Sequence, residues 1–296
     1  MKDTLVRAIA DNAQIRAFAV RTTDMTETAR RAHDTSPVVT AALGRLMSGA
    51  AMMGSMLGEE DELLTLKVDG DGDVGGLVVT ADGHGSVKGY AKNPQAMCPA
   101  SAAGKLDVGR IVGRGYLTVI KDMGMEEPYN SRIELVTGEI GDDLAQYFVS
   151  SEQIPSGVGL GVLMNKDNTV RCAGGFIIQL MPFASDECVA RLEQSLSEIK
   201  SVTALLDRGL DPEEMLREIL TGVDAQITDR REVAFRCNCT RDRVERVLLS
   251  MGRQQLEELA SDGEDVELNC QFCNTHYVFS PQEIRELLRV EKTRSV

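Results

Sequence analysis

The sequence has no tryptophan, and aromatic residues make up only 4% of it. Histidine occurs three times, at His33, His84 and His276. No serine or cysteine stands in a nucleophile-elbow or comparable context, so nothing in the chain argues for an enzyme. Apolar runs all fall short of the roughly 18 residues that a membrane-spanning helix needs. The opening Met-Lys-Asp-Thr-Leu is not followed by the apolar stretch of a secretory signal, so a cytoplasmic protein is expected. Basic residues are also in deficit. Lys and Arg number 32 against 46 Asp and Glu, a net charge of −14, and such a field repels nucleic acid phosphate and anionic membranes alike.

What is present is ordinary globular material: 296 residues, 43% hydrophobic and 26% charged. That length is about twice a ~150-residue domain, which predicts two domains or one large domain with an appendage. The composition excludes wholesale disorder, collagen-like repeats and a coiled-coil rod. Charge divides unevenly, because residues 231–296 carry −2 and the preceding 230 carry the remaining −12. An acidic body and a nearly neutral tail is the economical description.

Residues 14–21 alternate with period two and read as a strand. Pro37 opens a run to about Leu57 that is apolar on most faces, too long for a strand and best read as a buried helix. Met47, Met52, Met53 and Met56 lie on it among Gly, Ala and Ser, which suits either core packing or an adaptable apolar surface. Short β-like runs follow from Glu62 to Tyr90, joined by Asp-Gly-Asp-Gly and Asp-Gly-His-Gly, residue types that tolerate hairpin turns. A second series comprises Gly115–Lys121, Ser131–Val136, Gly159–Met164 and Gly174–Leu180, with a short helix near Asp142–Val149. Strands grouped with inserted helices, without βαβ alternation, predict an α+β fold.

The pattern changes near Pro182. Residues 185–222 read as successive helices, one opened by acids and another by Asp211-Pro212, with Gly222 past its end. They are polar and offer only thin apolar stripes, which makes them the expected weak element of the chain. Near the C-terminus, Ser280-Pro281-Gln282-Glu283 is a capping box that starts a helix to about Val290.

Seven cysteines occur, at 98, 172, 188, 237, 239, 270 and 273. The first three are scattered and read as small buried hydrophobes. The last four form Cys237-Asn238-Cys239 and, 30 residues further on, Cys270-Gln271-Phe272-Cys273. Two close pairs brought together by folding supply four thiolates to one tetrahedral zinc ion, a closed and therefore structural site. Arg236, Arg241 and Arg243 are near enough in sequence to offset part of its −2 charge. A three-Cys, one-His site with His276 is an alternative, and a catalytic dithiol or a disulfide framework are weaker ones. The tight Cys-Xxx-Cys spacing also lets Cys237 and Cys239 pair with each other once a metal is lost, so the site has the chemistry of a redox switch.

Other motifs fail on inspection. Asp69, Asp71 and Asp73 have calcium-loop spacing, but Val74 and Thr80 occupy positions that require Gly and Glu. The glycines at 157, 159 and 161 complete no dinucleotide fingerprint, since Val162 or Met164 stands third. Gly104-Lys105 has Leu106 after it and Pro99 where a P-loop has its first glycine, which argues against ATP binding by that motif.

Several segments, in this order along the chain, resemble one family. They are Arg-Thr-Thr-Asp-Met (21–25), Ala-Ala-Leu-Gly-Arg-Leu-Met (41–47), Ser-Glu-Gln-Ile-Pro-Ser (151–156) with Leu-Gly-Val-Leu-Met-Asn (160–165), Ala-Gly-Gly-Phe-Ile-Ile-Gln-Leu-Met-Pro (173–182), and Cys-Gln-Phe-Cys-Asn-Thr-His-Tyr-Val-Phe (270–279). Over essentially its whole length the chain resembles the redox-regulated holdase chaperones of the 33 kDa chaperonin, or heat shock protein 33, family. The resemblance implies an α+β body at 1–182 that binds substrate and dimerises, a metastable helical linker at 183–230 and a zinc redox-switch domain at 231–296. It implies Cys237, Cys239, Cys270 and Cys273 as ligands of one zinc ion in the reduced, inactive form. On oxidation it implies disulfides pairing Cys237 with Cys239 and Cys270 with Cys273, zinc release, and binding of unfolding client proteins by a homodimer without ATP. A zinc-ribbon nucleic-acid module and a thiol oxidoreductase are the competing readings; the acidic body disfavours the first, and the second requires turnover of a dithiol substrate.

Overall fold

The computed structural model describes residues 2–58, 61–199 and 201–294, which form two compact units that divide between Arg236 and Cys237. In the first, β1 (Thr4–Ala10) and β2 (Ile15–Arg21) make a hairpin, followed by α1 (Thr23–His33) and α2 (Pro37–Gly54). The meander β3 (Leu63–Gly70), β4 (Leu77–Asp82) and β5 (Ser86–Ala91) leads through α3 (Val108–Val112) to the hairpin β6 (Gly115–Asp122) and β7 (Tyr129–Glu134). Then come α4 (Gly141–Tyr147), a π turn (Phe148–Glu152), and β8 (Ser156–Met164) and β9 (Val170–Leu180). Three helices, α5 (Asp186–Glu198), α6 (Val202–Asp207) and α7 (Pro212–Ile219), precede β10 (Ala225–Glu232) and the two-residue β11 (Ala234–Phe235).

These strands build two sheets. One is antiparallel throughout, in the order β10-β1-β2-β9-β8; the other runs β11-β5-β4-β3-β6-β7, with only the β11–β5 pair parallel. Between them lies α2. Pro37 at its first position and Ser36, whose Oγ accepts from the Val39 N–H at 3.3 Å, fix where it starts. A helix apolar on every face must be covered on every face, and α2 is: Leu46, Met47, Ala50 and Met52 are fully buried between the inner faces of both sheets. Its small residues make this possible. A Cβ at Gly49 would lie 2.5 Å from Leu144 Cδ1, and one at Gly44 2.6 Å from Thr26 Cγ2. The methionines are core, with Met47, Met52 and Met53 buried and Met56 half-buried.

The five-stranded sheet is apolar on both sides, because α5–α7 cover the face turned away from α2. Val6, Ala17, Phe176 and Ile178 of the sheet pack with Leu192, Leu205, Met215, Leu216 and Ile219 of those helices in a second core. The stripe is thin on α5, which buries only Cys188, Leu192 and Ser195, but broad on α7, which buries Pro212, Glu213, Met215, Leu216 and Ile219. Together the helices cover a whole sheet face. Residues 231–236, grouped by composition with the tail, run with the body, because β10 pairs with β1 up to Glu232 and β11 pairs with β5.

Two N-terminal elements carry no period in the sequence. β1 buries Leu5 and Val6 on opposite faces but leaves Ile9 exposed, so its burial does not alternate, and α1 is polar with a buried side of Thr23, Met25, Thr26 and Ala29. The start of α1 is held by tertiary structure: the Met25 N–H donates to Asp3 Oδ2 at 2.7 Å. Burial pushes the Asp3 carboxyl up to about 6, against the pull of the Met25 and Asp24 N–H groups and of Arg21. Raised above its ordinary 3.8, this group binds more protons folded than unfolded, so its contribution is fully favourable below about pH 4 and is lost as pH rises through about 6. Asp3→Asn keeps an acceptor for Met25. The unfolding free energy of the parent minus that of the variant, from urea titrations, is expected to fall across this window by roughly 3 kcal/mol.

In the second unit, α8 (Arg241–Ser250) and α9 (Arg253–Asp262) precede the hairpin β12 (Val266–Asn269) and β13 (His276–Phe279), and α10 (Pro281–Arg294) follows. The capping box forms as its sequence predicts, with Ser280 N–H to Glu283 Oε2 at 2.9 Å and Glu283 N–H to Ser280 Oγ at 3.3 Å. Among the described residues six side chains make its buried core: Leu248, Leu256, Ala260, Phe279, Ile284 and Leu288. That is little apolar material for a unit of about 60 residues, a size at which a metal or disulfides commonly supply the missing stability.

Candidate metal centre

Two turns carry the four cysteines. Cys237 and Cys239 lie in the extended segment just before α8, whose start is fixed by Thr240 Oγ1 accepting from the Arg243 N–H at 3.3 Å. Cys270 and Cys273 occupy the β12–β13 turn. That turn closes through Asn274 N–H to the Cys270 carbonyl at 2.7 Å and Cys270 N–H to the Thr275 carbonyl at 3.0 Å, with Asn274 left-handed at φ 56°.

Folding brings all four Sγ atoms within 4.8 Å of one another. Cys237 Sγ is 3.6 Å from Cys270 Sγ, and Cys239 Sγ is 3.2 Å from Cys273 Sγ. A tetrahedral ion with metal–sulfur bonds of about 2.3 Å needs sulfurs about 3.8 Å apart, so the cluster fits such an ion. Donor chemistry agrees, since four thiolates and no oxygen select a soft, tetrahedral metal. Without a cation Cys237 and Cys273 differ widely. Burial pushes the Cys237 thiol up to about 12, whereas Cys273, though burial opposes it, is drawn down to about 7 by hydrogen bonds from Thr275 and by the neighbouring thiols. Only a cation makes four adjacent thiolates favourable together.

Two nearby groups touch the sulfurs and were not singled out in the sequence. Tyr277 Oη donates to Cys239 Sγ at 3.2 Å, and Thr275 Oγ1 lies 3.1 Å from Cys273 Sγ. Their signal was present, since both follow the second pair within four residues. His276 is exposed at the start of β13 and is not part of the cluster. The arginines are largely committed elsewhere: Arg236 to Glu232, and Arg241 to Glu283 and the Val278 carbonyl, while Arg243 reaches the Asn238 carbonyl between the first two ligands. Cys172 and Cys188 are buried in the second core, where burial pushes each thiol up to about 11, and Cys98 is half-buried against the Asp107 carbonyl.

A closed four-cysteine centre, compatible with zinc and with thiol redox chemistry, follows in the chain an α+β body that has its own cores. This combination defines a class of two-part proteins in which a thiol module able to hold a metal ion follows a larger domain in the chain. The chain belongs to the Hsp33 family: the family model described as Hsp33 protein matches residues 3–280. It is 55% identical over 288 residues to the 33 kDa chaperonin of Lachnoclostridium phytofermentans, covering 97% of this chain and 99% of that one. With the 33 kDa chaperonin of Bacillus subtilis it shares 44% over 293 residues, 99% of this chain and 100% of the other. The crystal structure of the 33 kDa chaperonin, a heat shock protein 33 homologue, from Thermotoga maritima is similar with a TM-score of 0.92 at 33% identity, covering 99% and 100%. Among the described residues no helix is long and apolar enough to cross a membrane.

Proposed function

We propose that the chain is an ATP-independent chaperone of the holdase type, acting in the cytoplasm on unfolding proteins and switched on by oxidation of its four-cysteine centre. The observation that carries this reading is the convergence of Cys237, Cys239, Cys270 and Cys273 on a module too small to stand on its own core. In the reduced state the four thiolates hold one zinc ion, which supplies the module with folding free energy and keeps the thiols ionised without exposing them.

Oxidation removes those ligands. Forming each disulfide from two thiolates releases two electrons and no proton; one hydrogen peroxide accepts them together with two protons from water and becomes two waters, so two peroxides oxidise the centre and the zinc ion is released. The pairs are Cys237 with Cys239 and Cys270 with Cys273. In the folded cluster the shortest Sγ–Sγ distances run between the turns, so proximity there does not select these pairs. Once the module loosens, closing a loop of one or two residues costs far less entropy than closing one of about 30, and local pairing prevails.

The body contains the element to be released. Helices α5–α7, within the 183–230 linker, cover an apolar sheet face, and each carries one ion pair to the rest of the body: Arg191 to Asp11 at 2.7 Å, Asp207 to Arg171 at 2.5 Å, and Glu213 to Arg230. Short helices, of which α5 and α6 bury three residues each, and partly exposed ion pairs make a cover of low local stability, with α7 its best-seated part. With it gone, Val6, Ala17, Phe176 and Ile178 become a surface for non-native polypeptides, and the activated chain acts as a homodimer.

Light scattering from a thermally unfolding client, without ATP, tests the reading. The peroxide-treated chain is expected to suppress aggregation and the reduced, zinc-loaded chain not to. Suppression by neither form overturns the chaperone, and equal suppression by both overturns the switch.

A further inference from the structure

The six-stranded sheet ends in β7, and among the described residues no other main chain pairs with its outer side. The Leu135 N–H donates to the Gly115 carbonyl, which sets the phase of the β6–β7 ladder: odd-numbered residues of β7 bond inward, and the N–H and C=O groups of Asn130, Arg132 and Glu134 point outward. An open edge of this kind has one natural complement, an extended backbone. Its surroundings are apolar. Of the ten large hydrophobic side chains exposed among the described residues of 2–236, five, Tyr116, Met123, Met125, Tyr129 and Val136, lie on β7, on its neighbour β6 or in the turns that adjoin them; Met125 and Val136 are each more than half exposed. Flexible methionines such as Met123 and Met125 suit side chains of varied shape. Charge there is one-sided. Asp122, Glu126 and Glu127 crowd the connection into β7, while the Lys121 ammonium is taken by Glu152 and the Arg132 guanidinium lies 3.8 Å above the Tyr116 ring.

We propose that the β7 edge is a docking site for an extended, apolar polypeptide segment flanked by basic residues, which adds as a strand beside Asn130, Arg132 and Glu134. The inference rests on the proposed function only in taking a non-native polypeptide as the partner. It concerns a surface already open in this structure and the docking of a short extended segment, not the holding of aggregating clients that needs release of α5–α7, so it is tested on the reduced, metal-loaded full chain, where peptide docking without suppression of aggregation is the expected result.

The probes are fluorescent peptides of alternating valine and leucine, flanked by lysine or by glutamate. Proline is tolerated on an edge where its missing N–H faces solvent, so Arg132→Pro blocks strand addition without breaking the β6 ladder, and Arg132→Ala controls for loss of the side chain. Fluorescence polarisation is expected to show the lysine-flanked peptide bound about tenfold more weakly by Arg132→Pro than by Arg132→Ala, the loss of one main-chain bond plus the ring's obstruction. The glutamate-flanked peptide should bind more weakly, with a difference that salt removes. On the unmutated chain, peptide should slow hydrogen exchange at the amides of Asn130, Arg132 and Glu134. Equal binding by the two variants, or unchanged exchange at those amides, overturns the proposal. So does a sedimentation result in which Arg132→Pro abolishes self-association while peptide binding persists, which would assign the edge to a second copy of the chain.

Discussion

Replacing Cys239 by serine is expected to unfold residues 237–294, to loosen α5–α7, and to leave the rest of residues 2–236 folded. A serine hydroxyl does not ionise at neutral pH, so the substitution removes one of four ligands and also the Tyr277 hydrogen bond to its sulfur. Metal binding in small structural sites supplies about 10–16 kcal/mol at neutral pH. Among the described residues the module's buried core is only six side chains, with seven partly buried hydrophobics packed on it, so most of its net stability is expected to come from the metal. Metal content, measured by chelator displacement, should fall from one ion per chain to a small fraction of it, and the amide spectrum of the module should collapse to random-coil shifts. The two sheets and α1–α4 should keep their spectrum, because the first core draws on no residue beyond Phe235, whereas α5–α7 should lose protection as the proposed release requires. Full metal retention by the variant would mean that the centre is not built on four cysteines.

Gly161→Leu is expected to free α6 without any oxidation. Gly161 sits on the β8 face that α6 covers, and a Cβ there would lie 2.6 Å from Thr203 Cγ2 and 3.3 Å from the Thr203 nitrogen. Every close neighbour at this position belongs to α6. Gly159 differs, since a side chain there would first strike the ring of Phe176 in the sheet itself. Overpacking costs about 1–3 kcal/mol, so the released population should rise by roughly 5- to 150-fold. The reduced, metal-loaded variant should be cleaved faster within residues 186–220 and should suppress client aggregation before peroxide is added. Gly161→Ala, with a single methyl, should lie between variant and parent. Cleavage at the parent rate would show that α6 yields locally and that its seat on β8 does not limit release.

How legible the molecule was in its sequence differs by element, for physical reasons. β2, the β3–β4–β5 meander, the β6–β7 hairpin and α2 were readable because their patterns are local: alternation, turn chemistry, or a long apolar run behind Pro37. β1, α1 and β10 were not. β1 buries residues on both faces without alternating, α1 is capped by Asp3 from a different element, and β10 is a polar edge strand whose Ala225 and Ile227 reveal little. The same cause moved the boundary between the units from about 231 to 237, because strand pairing, to which composition is blind, holds residues 231–236 to the body.

The candidate centre was nearly complete in the sequence. Four cysteines in two close pairs state both the candidate ligands and the chemistry they could supply, since thiol donors and their spacing are properties of the covalent chain. Ligand type, net charge, the glycines that permit close packing and the capping box at Ser280 were likewise fixed there. The tertiary structure alone decided which groups the sulfurs touch, placed Tyr277 and Thr275 against them and moved His276 away. It alone laid α5–α7 over a sheet face and left the β7 edge open. Those features depend on distances between residues far apart in sequence, and such distances exist only after strands pair and layers pack.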